Sequence, residues 1–175
     1  MSYSTNKLLV FSTLSLLLCL ASCYLLINPN PRDVTTEILN YGEGSAKVLS
    51  EHKDENVPAG KRFTTDYKLG ISKTSDSIKI EKGVQFGIEY IIETPKTGLI
   101  EVKTIWNYPD TISNNRRKKF IKSEYIISKV TNEYTYSSYE INEEFEMIAG
   151  DWILQLFYQE KLILHKKFML TNNDK

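Results

Sequence analysis

The sequence predicts an all-β domain, a single antiparallel β-sandwich of immunoglobulin-like type with about seven to nine strands. Several runs alternate apolar and polar residues over five or more positions, which is typical of strands buried on one face. Short polar segments separate these runs, and no stretch has the spacing of an amphipathic helix. The 175 residues leave room for one domain, and 22 basic against 22 acidic residues exclude a strongly basic nucleic-acid binder.

The strands follow from the alternating runs and the turns between them. The clearest runs lie in five segments, residues 63–71, 84–92, 100–108, 152–158 and 162–170. Residues 94–98 and 159–161 are predicted to close hairpins. Residues 123–130 and 134–141 predict one more hairpin, and Pro109 is expected to end its strand because proline cannot donate into a sheet ladder. Residues 43–60 are polar and predict a long loop or a hairpin.

Large aromatic residues occupy the inward positions of these runs. We expect them to form the core of the sandwich rather than a ligand platform, and they are Phe86, Tyr90, Trp106, Trp152 and Phe168. Gly87 lies inside a strand, which predicts either the close approach of a neighbouring strand or a β-bulge. Gly150 precedes the last hairpin and is expected to supply a positive φ.

The first 22 residues have the pattern of a signal peptide. Lys7 precedes an uncharged apolar run, residues 8–27. Within that run, Leu20-Ala21-Ser22-Cys23 resembles the lipobox of bacterial lipoproteins, in which the cysteine thiol accepts a diacylglycerol and the chain is cut just before it. The sequence thus predicts a signal peptide over residues 1–22, lipid attachment at Cys23 and a tether over residues 23–32.

Two other interpretations of the N-terminal segment stay open. Residues 8–27 are long enough for an uncleaved transmembrane anchor, with Lys7 on the cytoplasmic side. A signal peptide that is cleaved without lipidation is the third interpretation. All three place the chain after Pro31 outside the cytoplasm, so we expect a protein of the bacterial cell envelope, on the periplasmic side or at the outer membrane. Its domain is predicted over residues 33–171, followed by a tail, residues 172–175.

The C-terminal half resembles a known family. The matching segments are, in chain order, Gly83-Val84-Gln85-Phe86-Gly87-Ile88-Glu89-Tyr90, Trp106-Asn107-Tyr108-Pro109, Ala149-Gly150-Asp151-Trp152 and Lys167-Phe168. This order is similar to a bacterial family catalogued as a domain of unknown function, and the resemblance spans residues 35–171. It implies a β-sandwich that is usually exported, and it implies no catalytic residues.

The residues that could carry chemistry do not form a recognisable catalytic set. Cys19 and Cys23 both lie in the apolar N-terminal run, so the globular part has no disulfide and no thiolate metal site. The sequence contains no nucleophile elbow, no phosphate-binding loop and no zinc-protease motif. We therefore predict no enzyme activity, no cofactor and no metal. The alternative is an envelope hydrolase that uses a carboxylate cluster, Glu143, Glu144 and Glu146, together with a histidine.

A run of four basic residues is the sharpest local feature of the exported part. Arg116, Arg117, Lys118 and Lys119 form a candidate partner-binding loop for an acidic protein, a glycan or anionic lipid. The plainer interpretation is a solvated connection between strands. Together these features predict a membrane-tethered envelope module that binds or spaces other components. Its expected partners are the membrane, through lipid or an anchor helix, and an envelope protein or glycan, but no nucleic acid.

Overall fold

The computed structural model describes residues 25–172, and these residues form eleven strands. The strands are β1 (Thr35–Gly44), β2 (Val48–Lys53), β3 (Lys61–Thr65), β4 (Ile71–Thr74), β5 (Ser77–Lys79), β6 (Gln85–Glu93), β7 (Leu99–Ser113), β8 (Lys119–Val130), β9 (Tyr134–Glu140), β10 (Gly150–Tyr158) and β11 (Lys161–Thr171). Two short 3-10 turns, Pro31–Asp33 and Glu144–Glu146, are the helical elements of this part of the chain. No helix within residues 25–172 has the length and apolar character that a membrane crossing requires.

Nine of the strands build two facing sheets. One sheet has the order β4-β1-β6-β9 and the other the order β5-β11-β10-β7-β8. The predicted β-sandwich is confirmed. Its pairs are antiparallel with one exception, because β5 runs parallel to β11 after the chain crosses from one sheet to the other between Thr74 and Ser77. The remaining two strands, β2 and β3, pair with each other and with no other described strand.

The core between the sheets is built around aromatic rings, as the alternation predicts. Phe86 lies at its centre, with ring centroids 5.7 Å from Trp106, 6.0 Å from Trp152 and 5.3 Å from Phe168. Most of these rings meet edge to face, the arrangement that ring quadrupoles favour. Phe86 and Trp152 are completely buried.

Both glycine predictions are confirmed. A Cβ on Gly87 would lie 2.7 Å from the Cα of Ser138, so β9 can approach β6 only because this side chain is absent. Gly150 has a φ of 125°, in the region that side chains rarely adopt.

Two of the three predicted hairpins are wrong. The segments after β6 and after β8 carry the chain from one sheet to the other, so neither β6 and β7 nor β8 and β9 are paired. The two crossings lie side by side, since Thr131 N donates to Gly98 O over 2.9 Å. Alternation identifies the buried face of a strand but not the sheet to which it belongs. The third hairpin, β10–β11, is confirmed, with Gln159 at a φ of 51° in its turn.

Two strand boundaries also differ from prediction. Strand β7 continues past Pro109 to Ser113, because its register with β8 is interrupted between Asn107 and Ile112, where proline needs no ladder partner. The alternating run from residue 63 to 71 is broken between β3 and β4. There the Gly70 amide donates to the carboxylate of Glu89 over 3.2 Å, which draws this loop onto the outer face of β6.

Candidate functional site

A cleft of about 680 Å³ opens along one side of the sandwich, between strands β8 and β9. These strands are the edges of their sheets, so no further strand fills the space between them. We call it the β8–β9 cleft. The β2–β3 hairpin crosses over it, and residues of β3 line its outer wall. The site is therefore a covered groove between two sheet edges.

Side chains, rather than main-chain pairing, hold the hairpin over the cleft. At one end the Thr65 hydroxyl bonds to the hydroxyl of Tyr136, which itself donates to Asp66 O over 3.1 Å. In the middle the Arg62 guanidinium lies 4.6 Å above the ring of Tyr125. Within residues 25–172 no ladder joins the hairpin to either sheet. Side-chain contacts of this kind are weaker than a ladder, so the hairpin can separate from the sandwich without breaking a sheet.

The other end of the hairpin rests on the loop between β7 and β8. Lys118 Nζ donates to Glu55 O over 2.5 Å, and Asn114 Nδ2 donates to Pro58 O over 3.4 Å. Arg62 also pairs with Asp54, with 2.6 Å between Nε and Oδ2. The covering hairpin is thus fastened at both ends of the cleft.

The floor of the cleft contains buried polar atoms. Thr104 Oγ1, Trp106 Nε1 and Ser123 Oγ make no hydrogen bond of normal geometry within the described part of the chain. All three residues line the cleft and are at most 2% exposed. A buried polar group without a partner costs about 1–3 kcal/mol. A polar ligand, or water that enters with it, could satisfy these groups from the cleft side.

Lys129 connects the two edges that border the cleft. It lies on β8, and its Nζ donates to Tyr136 O over 2.6 Å and to Thr135 Oγ1 over 3.0 Å, both on β9. Burial lowers the pKa of Lys129 to about 8. A charged amine is therefore kept in a place that disfavours its charge.

The lowered pKa of Lys129 predicts that the stability of the domain depends on pH. Because the pKa of Lys129 is about 8 in the folded domain and 10.5 in the unfolded chain, the unfolded chain binds more protons between these values. The free energy of unfolding should therefore rise from pH 8 to pH 10. Above pH 10 the buried Tyr90 acts in the opposite direction, because burial raises its pKa far above the ordinary value. Urea unfolding at pH 7, 8, 9 and 10 measures this rise.

Lys129→Met tests the cause of that rise. We expect the variant to be more stable than the parent at pH 7, by about 1–2 kcal/mol, because a buried charge is replaced by an apolar side chain of similar length. We also expect the rise between pH 8 and pH 10 to disappear. A variant that is less stable at pH 7 would show that the hydrogen bonds to Thr135 and Tyr136 outweigh the burial of the charge.

The predicted basic loop lies where β7 ends and β8 begins. Arg116, Arg117, Lys118 and Lys119 are all exposed. Asn114 shapes the loop, since its Oδ1 accepts from the amides of Arg116 and Lys118 over 3.0 Å each. The role of the basic loop in binding stays a prediction.

Glu55, on the covering hairpin, meets the basic loop. The Arg116 guanidinium lies 3.6 Å from the Glu55 carboxylate. Hydrogen bonding and charge from Lys53, together with the charge of Arg116, hold the pKa of Glu55 below its ordinary value. The loop is thus partly neutralised by the hairpin that covers the cleft.

The carboxylate cluster is not brought together as a catalytic group. Glu146 is buried, and its carboxylate accepts hydrogen bonds from Tyr139 Oη and from the amides of Asn142 and Glu143. Burial raises the pKa of Glu146. Glu144 lies on the surface. The buried carboxylate therefore holds a turn together.

Neither histidine is hydrogen-bonded to these glutamates in the described residues, although His52 and Glu146 both line the β8–β9 cleft. His52 is exposed on β2 and its Nε2 bonds to Ser50 and Thr64, and His165 is exposed on β11. Within residues 25–172 no hydrogen bond joins a histidine to Glu143, Glu144 or Glu146. The same residues contain no cluster of three or more His, Cys, Asp or Glu side chains that could hold a metal ion. Cys23, the predicted lipid site, lies outside the described residues.

The sequence reasoning missed the β8–β9 cleft and its polar residues. One signal was present. Alternate residues of the segment 123–130 share the inward face, and these are Ser123, Tyr125, Ile127 and Lys129. A lysine on an inward face needs an explanation. The contribution of Arg62 had no such signal, because nothing local predicts that β3 crosses over two distant strands.

Comparisons with solved structures show the fold. The chain is similar to an immunoglobulin-like protein from Pseudomonas aeruginosa, with a TM-score of 0.56 and 17% identity over 79% of this chain and 97% of that one. An alkylpurine DNA glycosylase from Pseudomonas fluorescens bound to DNA has a TM-score of 0.39 and 10% identity, over 54% of this chain and 27% of that one. At that score the likeness supports no conclusion about function.

Comparison with curated proteins gave no match. One family model matches residues 40–170, which is most of the chain, and it is described as a domain of unknown function, DUF3859. The predicted resemblance to a bacterial family of that kind is confirmed. This chain belongs to the DUF3859 family, with an immunoglobulin-like β-sandwich as its domain.

Proposed function

We propose that this protein is an exported, membrane-anchored module of the bacterial cell envelope that binds a partner and catalyses no reaction. The β8–β9 cleft carries the proposal. It is about 680 Å³ in volume and is lined by hydroxyls, aromatic rings and charged groups. Its floor has buried polar atoms that make no hydrogen bond of normal geometry within the described residues. A groove of this size and mixed chemistry is typical of a ligand site. The N-terminal pattern of Lys7, the apolar run and Cys23 supports export and anchoring.

The partner is an envelope protein or glycan that enters the cleft. Among the described strands, β9 has a neighbour on one side only, so every second backbone amide and carbonyl along it points toward the cleft. One of these carbonyls, Tyr136 O, already accepts from Lys129. Hydroxyls from Thr65 and Ser123 add groups that can donate or accept. Both an extended peptide and a sugar could use such groups, and the basic loop at Arg116 adds attraction for acidic partners.

The hydrolase alternative is less well supported by the described residues, although Glu146 and His52 both line the cleft. Its glutamates include one whose carboxylate is already occupied by three hydrogen bonds, Glu146, and one that lies on the surface, Glu144. Catalysis needs a positioned base or nucleophile with a partner that orients it. The fold does not decide the question by itself, because sandwiches host many functions.

Crosslinking in intact cells, followed by identification of the captured proteins and glycans, tests the proposal. Ile127→Trp places an indole in the cleft and should lower the yield of the captured partner at least about fivefold. Ile126→Trp is the matched control, because Ile126 is the neighbouring residue, lies outside the cleft lining and is 61% exposed. Circular dichroism of both variants should show an unchanged sheet content.

A second variant tests the basic loop, and its effect includes any loosening of the covering hairpin, because Arg116 and Lys118 both contact Glu55. Neutralising Arg116, Arg117, Lys118 and Lys119 together should weaken capture and reduce its dependence on salt. Equal capture by Ile127→Trp and Ile126→Trp would overturn the assignment of the cleft. Turnover of an envelope polymer by the purified protein, lost in Glu144→Gln, would overturn the proposal in favour of the hydrolase.

A further inference from the structure

We propose that the domain stands on its membrane in one fixed orientation, with Leu25, Leu26 and the adjoining turns against the lipid headgroups and the basic loop directed away. This inference rests on the membrane anchoring proposed above and adds to it the surface that meets the bilayer. It follows from the way the chain enters the domain.

The chain is fixed to the sandwich from Leu25 onward. Leu26 forms a parallel bridge with Leu99, in which Ile27 N donates to Leu99 O over 2.8 Å and Leu99 N donates to Leu25 O over 2.9 Å. Ile27 packs against the core. A Cβ on Gly98 would lie 2.5 Å from Ile27 Cγ2, so the segment fits closely against this glycine.

The residues that follow are fastened as well. Asn28 Oδ1 accepts from Tyr158 Oη over 2.9 Å and from Gln159 Nε2 over 2.8 Å. Lys161 Nζ donates to Pro31 O over 2.9 Å and to Val34 O over 2.8 Å. The predicted tether, residues 23–32, is therefore bound to the domain over most of its length. In the sequence Tyr24 alone stands between Cys23 and Leu25, the first of these bound residues.

The surface beside this entry point has the chemistry of a bilayer contact. Leu25 and Leu26 are each 70% exposed, and they continue the apolar run that precedes them. The exposed tips of the turns at Thr97, Asn132 and Gln159 lie at the same end of the sandwich. Exposed charges of both signs lie here too, among them Arg32, Lys96 and Glu160, so they largely offset one another. The contact therefore depends mainly on apolar side chains and the anchor, and it should depend little on salt.

The basic loop lies at the opposite end. Strand β7 begins at Leu99, beside the entry point, and runs 15 residues to Ser113, next to the loop. At about 3.3 Å per residue this distance is roughly 45 Å. Screening at physiological salt has a length of about 8 Å, so the charges of Arg116 to Lys119 do not sense the headgroups of their own membrane. They are placed for a partner that approaches from the other side.

The orientation is the same for a lipid anchor and for a transmembrane anchor. Because Leu25 to Ile27 lie along Leu99, the chain enters the domain at the same point for either kind of anchor. The apolar residues after Cys23, which otherwise favour the transmembrane anchor, have a second role in binding the domain.

Fluorescence quenching in vesicles tests the orientation. The full chain, purified from bacterial membranes, carries azidophenylalanine at Thr97 or at Asn115, coupled to a nitrobenzoxadiazole dye. Both positions are exposed, and they lie at opposite ends of β7. In vesicles of phosphatidylethanolamine and phosphatidylglycerol with doxyl-labelled lipid, the dye at Thr97 should be quenched at least about threefold more strongly than the dye at Asn115. Salt should not change this ratio.

Gly98→Ala tests whether the fixed entry of the chain sets the orientation. The added Cβ displaces Ile27, so the ratio should fall toward one while the protein still floats with the vesicles. Flotation with equal quenching at both positions in the parent would overturn the orientation and leave the anchoring intact. Absence of flotation would overturn both. An unchanged ratio in Gly98→Ala would overturn the role of the bound segment.

Discussion

Phe86→Ala is expected to lower the free energy of unfolding by about 3–5 kcal/mol, the largest effect of any single substitution considered for this domain. The Phe86 ring is completely buried and meets Trp106, Trp152, Phe168 and Tyr139 at centroid distances of 5.3 to 6.2 Å. Its removal leaves a cavity between the two sheets that four large rings cannot fill, because each is held by its own strand. Urea unfolding followed by tryptophan fluorescence measures the change, since two of the four neighbours are tryptophans.

Phe157→Ala is the matched control for this substitution. Phe157 lies on β10, on the side facing away from the core, where it is half-buried and Lys103 Nζ lies 5.2 Å from its ring. We expect Phe157→Ala to lower the free energy of unfolding by about 1 kcal/mol, because much of the Phe157 side chain is in water in the folded domain. Similar losses in the two variants would contradict the assignment of Phe86 as the centre of the core.

The core could be predicted from the sequence because it depends on local alternation. Phe86, Trp106 and Trp152 each occupy the inward position of a two-residue period, and the structure places all three between the sheets. The close approach of β9 at Gly87 could also be predicted, since a glycine inside a strand of large residues indicates that a neighbouring strand lies close to it.

The pairing of strands could not be predicted in the same way. Residues 94–98 look like a hairpin loop, yet β6 and β7 belong to different sheets. A loop of this length can join neighbours in one sheet or arch across the core, and no local residue distinguishes the two. The β8–β9 cleft could not be predicted for the same reason, because it forms only where two sheet edges and the distant β2–β3 hairpin meet. Arg62 and Tyr125 are 63 positions apart in the chain.

Glu146→Ala has the second largest expected effect and should lower the free energy of unfolding by about 2–4 kcal/mol. The carboxylate of Glu146 accepts from the Tyr139 hydroxyl over 2.6 Å and from the amides of Asn142 and Glu143 over 3.0 Å each. Alanine leaves these donors without a partner, in a place where the parent side chain is 1% exposed. Each unsatisfied buried donor costs about 1–3 kcal/mol, and the turn can relax to recover part of the loss.

Glu146→Gln is the control that keeps the shape and removes the charge. A glutamine oxygen can accept from both amides, and its NH₂ group can donate to the Tyr139 hydroxyl, so the cost should be below about 1 kcal/mol. Burial raises the pKa of Glu146 above 4.5 in the folded domain. The unfolded chain therefore loses its proton first as the pH rises, and the contribution of Glu146 to stability falls above pH 4.5.

The two Glu146 variants together decide what this residue does. The stability of Glu146→Gln relative to the parent should improve as the pH rises from 4.5 to 7, because the glutamine has no proton to lose. Urea unfolding of the parent and both variants at pH 4.5, 5.5 and 7 measures this trend. Equal stability of alanine and glutamine at pH 7 would show that the three hydrogen bonds do not hold the turn. Such a result would return Glu146 to the candidates for the chemistry of the hydrolase alternative, since a buried carboxylate without a structural role is a candidate catalytic group.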